Sequence, residues 1–252
     1  MPRLATNADV PVKVPSGGLA FSTVSFDTLK ATEYTIVTLV VDVSGSVSPF
    51  KDDLEDCLQE VISALRKDAR SENLIFRLML FNSNIIEHHG FVELPTINEG
   101  DYKNIINPSG STSLYDAVYA SIEATMVQGE NMMKSDYDAN GIAIFLTDGM
   151  ENTSTIHNDA RDIKDLIQQV IQKEVLESFK TILIGIGNDS VKAYLADFKD
   201  QAGIDEFIHI GEATASKLAK LAGFISQSIS SQSQALGSGG VSQPINPQSY
   251  GF

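Results

Sequence analysis

The segment Thr35–Val43, TIVTLVVDV, constrains this chain more than any other. β-branched and apolar residues fill it almost without interruption. A strand with one face in water alternates apolar and polar residues, whereas a continuous run suits a strand buried on both faces. Such a strand needs a covering layer on each side. The rest of the chain has the pattern to supply both.

A helix is expected from near Pro49, a residue suited to a first helical turn, with Phe50, Leu54, Cys57, Leu58, Val61 and Leu65 on one stripe. Leu74–Phe81 and Ile85–Val92 read as strands joined at Asn82-Ser83-Asn84, a hairpin signal. A polar connection runs from Pro95 to Gly110. A second helix carries Leu114, Ala117, Val118, Ile122 and Met126, followed by an apolar strand at Ile142–Leu146. Ile163, Leu166, Ile167, Val170 and Ile171 mark a third helix, and Thr181–Ile186 another strand. A short helix at Val191–Phe198, a short strand at Phe207–Ile210 and a last helix from Thr214 to Ser228 complete the series. Strands alternating with amphipathic helices predict βαβ units. The expected fold is α/β: a Rossmann-like, doubly wound, mostly parallel central sheet flanked by helices. One α/β domain of this size buries about 70–75% of its unfolded surface and needs no staple.

The ends differ from the middle. Residues 1–33 contain Pro2, Pro11, Pro15 and Gly17-Gly18 and read as an extended arm, with Phe21 to Phe26 either adding a strand or lying over the core. Residues 231–252 are rich in Ser, Gln, Gly and Pro and read as a flexible tail. Its Tyr250 and Phe252 are unusual for a spacer and suggest a docking peptide. Three segments are therefore expected: an arm 1–33, a domain 34–230 and a tail 231–252. The net charge of −15 falls wholly within 34–230, since the arm balances and the tail holds no charged side chain. That charge opposes binding to a phosphate backbone or docking on an anionic membrane. One cysteine excludes an intramolecular disulfide. No apolar run is long enough to span a bilayer, and the N-terminus lacks the apolar core of a signal peptide, so a cytoplasmic location is expected.

In a doubly wound sheet, ligands bind beyond the carboxyl ends of the strands. Three motifs fall there: Asp42-Val43-Ser44-Gly45-Ser46, Gly110-Ser111-Thr112 and Thr147-Asp148-Gly149. Together they offer carboxylates and hydroxyls, with no imidazole and no thiolate. That hard, all-oxygen set suits Mg²⁺ or Mn²⁺ and is poor for Zn²⁺. Ser44 and Ser46, two apart across Gly45, can both face one ion.

The order D-x-S-x-S, then Thr, then the Asp of T-D-G resembles the metal-ion-dependent adhesion site of von Willebrand factor A (VWA) domains and of integrin I domains. Asp42, Ser44, Ser46, Thr112 and Asp148 match it with no departure, over roughly residues 34–230. The stretches from Gly110 to Ala117 and Leu146 to Gly149 resemble the bacterial, intracellular branch. The resemblance implies a site for Mg²⁺, or for Mn²⁺ or Ca²⁺. Ser44, Ser46 and Thr112 would bind the ion directly, and Asp42 and Asp148 directly or through water. It further implies an open coordination position filled by an Asp or Glu of a protein partner.

Other signals carry less. Asp136-Tyr-Asp138-Ala-Asn140-Gly141 mimics the start of a calcium-binding loop, but the twelfth position is Thr147 rather than Glu. Gly185-Ile-Gly187 lacks the third glycine of a dinucleotide fingerprint, and Gly187-Asn188-Asp189 reads as a turn capping the next helix. His88-His89 reads as a solvated strand edge, and no histidine has the setting of a catalytic triad. Cys57 lies on an apolar stripe and reads as an inert core residue. Asp116 reads as support for the Thr112 loop or as a favourable charge at a helix N-terminus. Glu151-Asn-Thr-Ser154 reads as a polar loop bordering the metal face. The function expected is a non-enzymatic, metal-dependent protein-interaction module. The alternatives are an adaptor for a MoxR-type AAA+ ATPase or a kinase–phosphatase stress module, or a phage or secretion particle component assembled through the tail.

Overall fold

The structure, a computed structural model, describes residues 10–12, 20–238 and 245–252. Its centre is a six-stranded sheet in the order β5-β4-β3-β6-β7-β8. These strands are β3 (Glu33–Asp42), β4 (Leu74–Phe81), β5 (Ile85–Glu93), β6 (Asp138–Thr147), β7 (Phe179–Ile186) and β8 (Glu206–Gly211). All neighbours pair in parallel except β5, which folds back antiparallel on β4 as the hairpin signal predicts. The α/β class and mostly parallel sheet read from the sequence are thus observed.

The continuous run in β3 does what its composition requires, with every residue from Tyr34 to Asp42 buried. Tyr34, Ile36 and Val40 face one core, with helices α2 (Leu114–Met133), α3 (Ala160–Gln172) and α4 (Asp189–Ala202). Val37, Leu39 and Val41 face the other, with α1 (Lys51–Arg66) and α5 (Ala215–Ser238). From β3 the chain first builds β4 on one side, then returns to build β6 on the other. The sheet's switch point therefore lies between β3 and β6, and its crevice opens beyond Asp42 and Thr147.

Several elements differ in extent from the sequence reading. Pro49 lies inside a 3-10 turn, Gly45–Phe50, and α1 begins only at Lys51. α4 is longer than Val191–Phe198, because the Asn188 side chain caps it by accepting from Ser190 N and Val191 N, and Gly203, left-handed at φ 68°, ends it. The capping role expected of Asn188 is thereby observed. α5 runs ten residues past Ser228, so 231–238 are helix and not flexible tail. Buried polar contacts hold this extension, in which Gln232 Nε2 donates to Ser178 Oγ at 2.8 Å and Asn140 Nδ2 donates to Gln232 O at 2.6 Å. A serine- and glutamine-rich sequence conceals such contacts, because the partners, Ser178 and Asn140, lie far away along the chain.

Beyond this helix, Tyr250 and Phe252 pack against Phe224 of α5 in the same chain, with ring centroids 5.8 and 6.3 Å away. The expected docking peptide thus finds a seat on its own domain. In the arm, Val10–Val12 (β1) pairs with Phe21–Thr23 (β2), and Phe21 is fully buried. The other arm residues, 1–9 and 13–19, and 239–244 of the tail lie outside the described residues. No described helix is long and apolar enough to cross a membrane.

Candidate metal centre

β3 ends on Asp42, whose carboxylate is buried at the mouth of the crevice. Its Oδ1 accepts from Ser44 N at 2.7 Å, closing the tight turn after the strand. Its Oδ2 accepts from Thr147 Oγ1 at 2.6 Å, tying the end of β3 to the end of β6. Ser44 Oγ and Ser46 Oγ lie 3.0 Å apart, and Ser46 Oγ donates to Asp148 Oδ1 at 2.8 Å. The single Ser46 proton is used on Asp148, so Ser44 donates to Ser46.

The Thr112 loop closes on these residues through the backbone. Gly45 N donates to Gly110 O at 3.2 Å, and Ser109 N to Val43 O at 3.0 Å. Gly110 turns at φ 71°, a left-handed conformation that glycine adopts at no steric cost. A Cβ on Gly149 would lie 2.8 Å from Thr112 Oγ1 and 3.6 Å from Asp42 Oδ2. Glycine there lets the backbone after Asp148 pass beside both side chains. All five residues singled out in the sequence are therefore brought to one crevice.

Both carboxyls of this cluster are shifted upward. Burial raises the Asp42 carboxyl above its ordinary range, against the bonds from Thr147 and Ser44. Asp148 is pushed up to about 6, first by burial and then by the charge of Asp42, against the bond from Ser46. Two carboxylates raised in this way would both be favoured as anions by a positive charge between them. Among the described residues no group of three or more His, Cys, Asp or Glu is placed to hold a metal. The donors here are instead two carboxylates and three hydroxyls, which fit a hard divalent cation and not Zn²⁺.

Residues 37–222 match the von Willebrand factor type A domain family. The chain belongs to that family. Several solved structures share the VWA fold with it. The PilB minor pilin from Streptococcus sanguinis, as a point mutant, has 16% identity and a TM-score of 0.56, over 88% of this chain and 66% of that one. The SpaC pilus adhesin from Lactobacillus rhamnosus GG, in an open conformation, has 12% identity and a TM-score of 0.54, over 85% and 31%. Proximal thread matrix protein 1 from the mussel byssus has 14% identity and a TM-score of 0.53, over 79% and 49%. At these identities the likeness is one of fold, and the chain spans less than two thirds of each of these proteins. No curated protein sequence matches the chain.

Around the VWA crevice the structure adds residues to the five candidate ligands. Thr147, the first residue of the T-D-G motif, orients Asp42. Glu55 on α1 is buried and accepts from Asn104 N and Ile106 N, both at 2.8 Å, bracing the connection that leads to Thr112. A glutamate beside the apolar stripe of α1 is the only signal of this in the sequence. The Asp116 carboxylate makes no direct bond to the Thr112 loop. It accepts from Thr155 N, Ile156 N and His157 N, in the loop after β6.

The solvated edge expected at His88-His89 is also corrected. His89 is buried, with Nδ1 donating to Gly90 O at 2.8 Å and Nε2 accepting from Tyr102 OH at 2.7 Å. A register shift between β4 and β5 at this point breaks the strict alternation of a regular strand edge. Cys57 is buried as expected, and burial pushes its thiol up to about 12, which keeps it protonated and inert. The mimic of a calcium loop is the lead-in to β6, where Asn140 and Gly141 are buried in the strand. A cavity of about 410 Å³ beside β8, lined by Glu206, Phe207, Ile208 and Ile245–Pro247, contains none of the crevice residues.

Proposed function

We propose that this VWA domain is a protein-interaction module that binds its partner through a divalent cation, Mg²⁺ or Mn²⁺ with Ca²⁺ as the alternative. Ser44, Ser46 and Thr112 would hold the ion through hydroxyls, and Asp42 and Asp148 through carboxylates or intervening water. The observation that carries this reading is the convergence of two carboxylates on a chain of hydroxyls, with burial, and then the charge of Asp42, raising Asp148. When bound, the ion supplies a Lewis acid whose charge neutral hydroxyls leave partly uncompensated. An Asp or Glu from a partner is the natural complement to such a charge.

The pilin, adhesin and matrix protein that share the fold support a binding role over an enzymatic one. The adaptor reading uses the same chemistry and differs only in the partner, whereas a particle component would assemble through the tail. An affinity capture with the full chain, in Mg²⁺ and in excess chelator, followed by mass spectrometry, tests the proposal. Partners captured only with Mg²⁺, and lost in Asp148→Ala, are expected. Capture that persists unchanged in chelator would overturn it.

A further inference from the structure

α2 is a 20-residue helix whose own N-cap residue, Ser113, makes no side-chain cap. The first helical N–H groups therefore need other acceptors. They find them in the loop after β6. Tyr115 N donates to Glu151 Oε2 at 2.9 Å, and Asp116 N donates to Ser154 Oγ at 3.1 Å. The Ser113 hydroxyl pairs with Thr153 Oγ1 at 2.9 Å. The loop is capped in return. The Asp116 carboxylate takes the N–H groups of Thr155, Ile156 and His157.

Glu151 also organises its own loop, accepting from Thr153 N at 2.8 Å and from Ser154 N and Ser154 Oγ at 2.6 Å each. Asn152 clamps Thr112 through both of that residue's backbone polar groups. Asn152 Oδ1 accepts from Thr112 N at 2.9 Å, and Asn152 N donates to Thr112 O at 3.0 Å.

We infer that Glu151 and Asn152 are positioning residues for the cation site, locking the Thr112 loop and the Asp148 loop into one body. The inference rests on the metal-binding reading above. Asp148 leads directly into this loop, and Thr112 directly into α2. Without the reciprocal caps, the two ligand-bearing segments would move independently, and a cation would have to order both as it bound. Preorganised, they meet it already in place. Residues that orient metal ligands from behind typically change affinity about 10–100-fold when removed.

The test is calorimetric titration of Mn²⁺ into the full chain and its variants, with thermal unfolding in chelator alongside. Glu151→Ala is expected to weaken Mn²⁺ binding about 10–100-fold, with Glu151→Gln in between because its carbonyl still accepts. Asn152→Ala, at an exposed position, is expected to weaken it in the same direction while staying folded should Glu151→Ala fail to fold. Hydrogen exchange at Tyr115, Thr153 and Ser154 is expected to quicken in Glu151→Ala. Folded variants with lower melting temperatures but Mn²⁺ affinity within twofold of the parent would reduce both residues to structural parts and overturn the inference. A parent chain that binds no Mn²⁺ would instead sink the metal-binding reading itself.

Discussion

Thr147 and His89 show how single side chains set the terms at this site and beside it. Thr147 is buried at the end of β6 and spends its proton on Asp42 Oδ2. Thr147→Val keeps the shape and removes that donor, leaving a buried carboxylate oxygen short of a partner. A loss of about 1–3 kcal/mol is expected, measured by urea unfolding in chelator. His89 is held by burial at about 4, whereas an exposed imidazole titrates near 6.5. Between those pH values the unfolded chain takes up a proton that the native chain does not. The stability linked to His89 is therefore complete above about pH 6.5 and falls as pH drops towards 4, by about 3 kcal/mol in all. Asp148, raised to about 6, titrates in the same window with the opposite sign. The slope is therefore read as the difference between parent and His89→Phe unfolding curves from pH 7 to pH 4, the parent losing stability relative to the variant as pH falls. Neither role is visible in the sequence, where Thr147 is the first residue of a motif and His89 one of a pair on a strand. Both depend on which strand lies opposite.

At the scale of elements, periodicity locates the strands and helices well and their ends poorly. Apolar spacing marks where a helix touches the core, and it thins out after Ser228, where only Ile229 and Ala235 are buried apolar residues, although α5 continues to Ser238 with further contacts through Gln232 and Ser233. The arm is ambiguous in sequence for a related reason. β2 lies against β5 through one close approach that pattern alone does not encode. A Cβ on Gly90 would fall 2.4 Å from both Ser22 Cβ and Ser22 O. The same crossing places the Arg77 guanidinium over the Phe21 and Phe91 rings and in an ion pair with Glu87 at 2.9 Å. Gly90→Ala should push β2 away and expose buried Arg77 and Phe21. We expect it to cost about 1–3 kcal/mol and to speed proteolysis within residues 20–30, read by mass spectrometry.

For the whole molecule, the proposed metal site would set stability against binding. Asp148 and Asp42 repel each other across a buried gap, so Asp148→Asn should raise the melting temperature in chelator at pH 7, equivalent to about 1 kcal/mol. Asn keeps an oxygen for the Ser46 proton while losing the charge. Saturating Mn²⁺ should reverse the order of the two proteins. At 100 times its dissociation constant it is expected to stabilise the parent by about 2.7 kcal/mol and the Asp148→Asn variant by little or nothing, read by calorimetric melting. The chain order of D-x-S-x-S, Thr and T-D-G, and the doubly buried run before the first of them, determined by themselves the α/β class and the five candidate ligands. Those features are local, because a strand's burial and a motif's donors are written within a few consecutive residues. Only the tertiary structure decided that β3 and β6 are neighbours, that Thr147 serves Asp42, and that α2 is capped by a loop some 36 to 40 residues away. Hydrogen bonds and close approaches between distant segments depend on distances that the folded chain alone brings about.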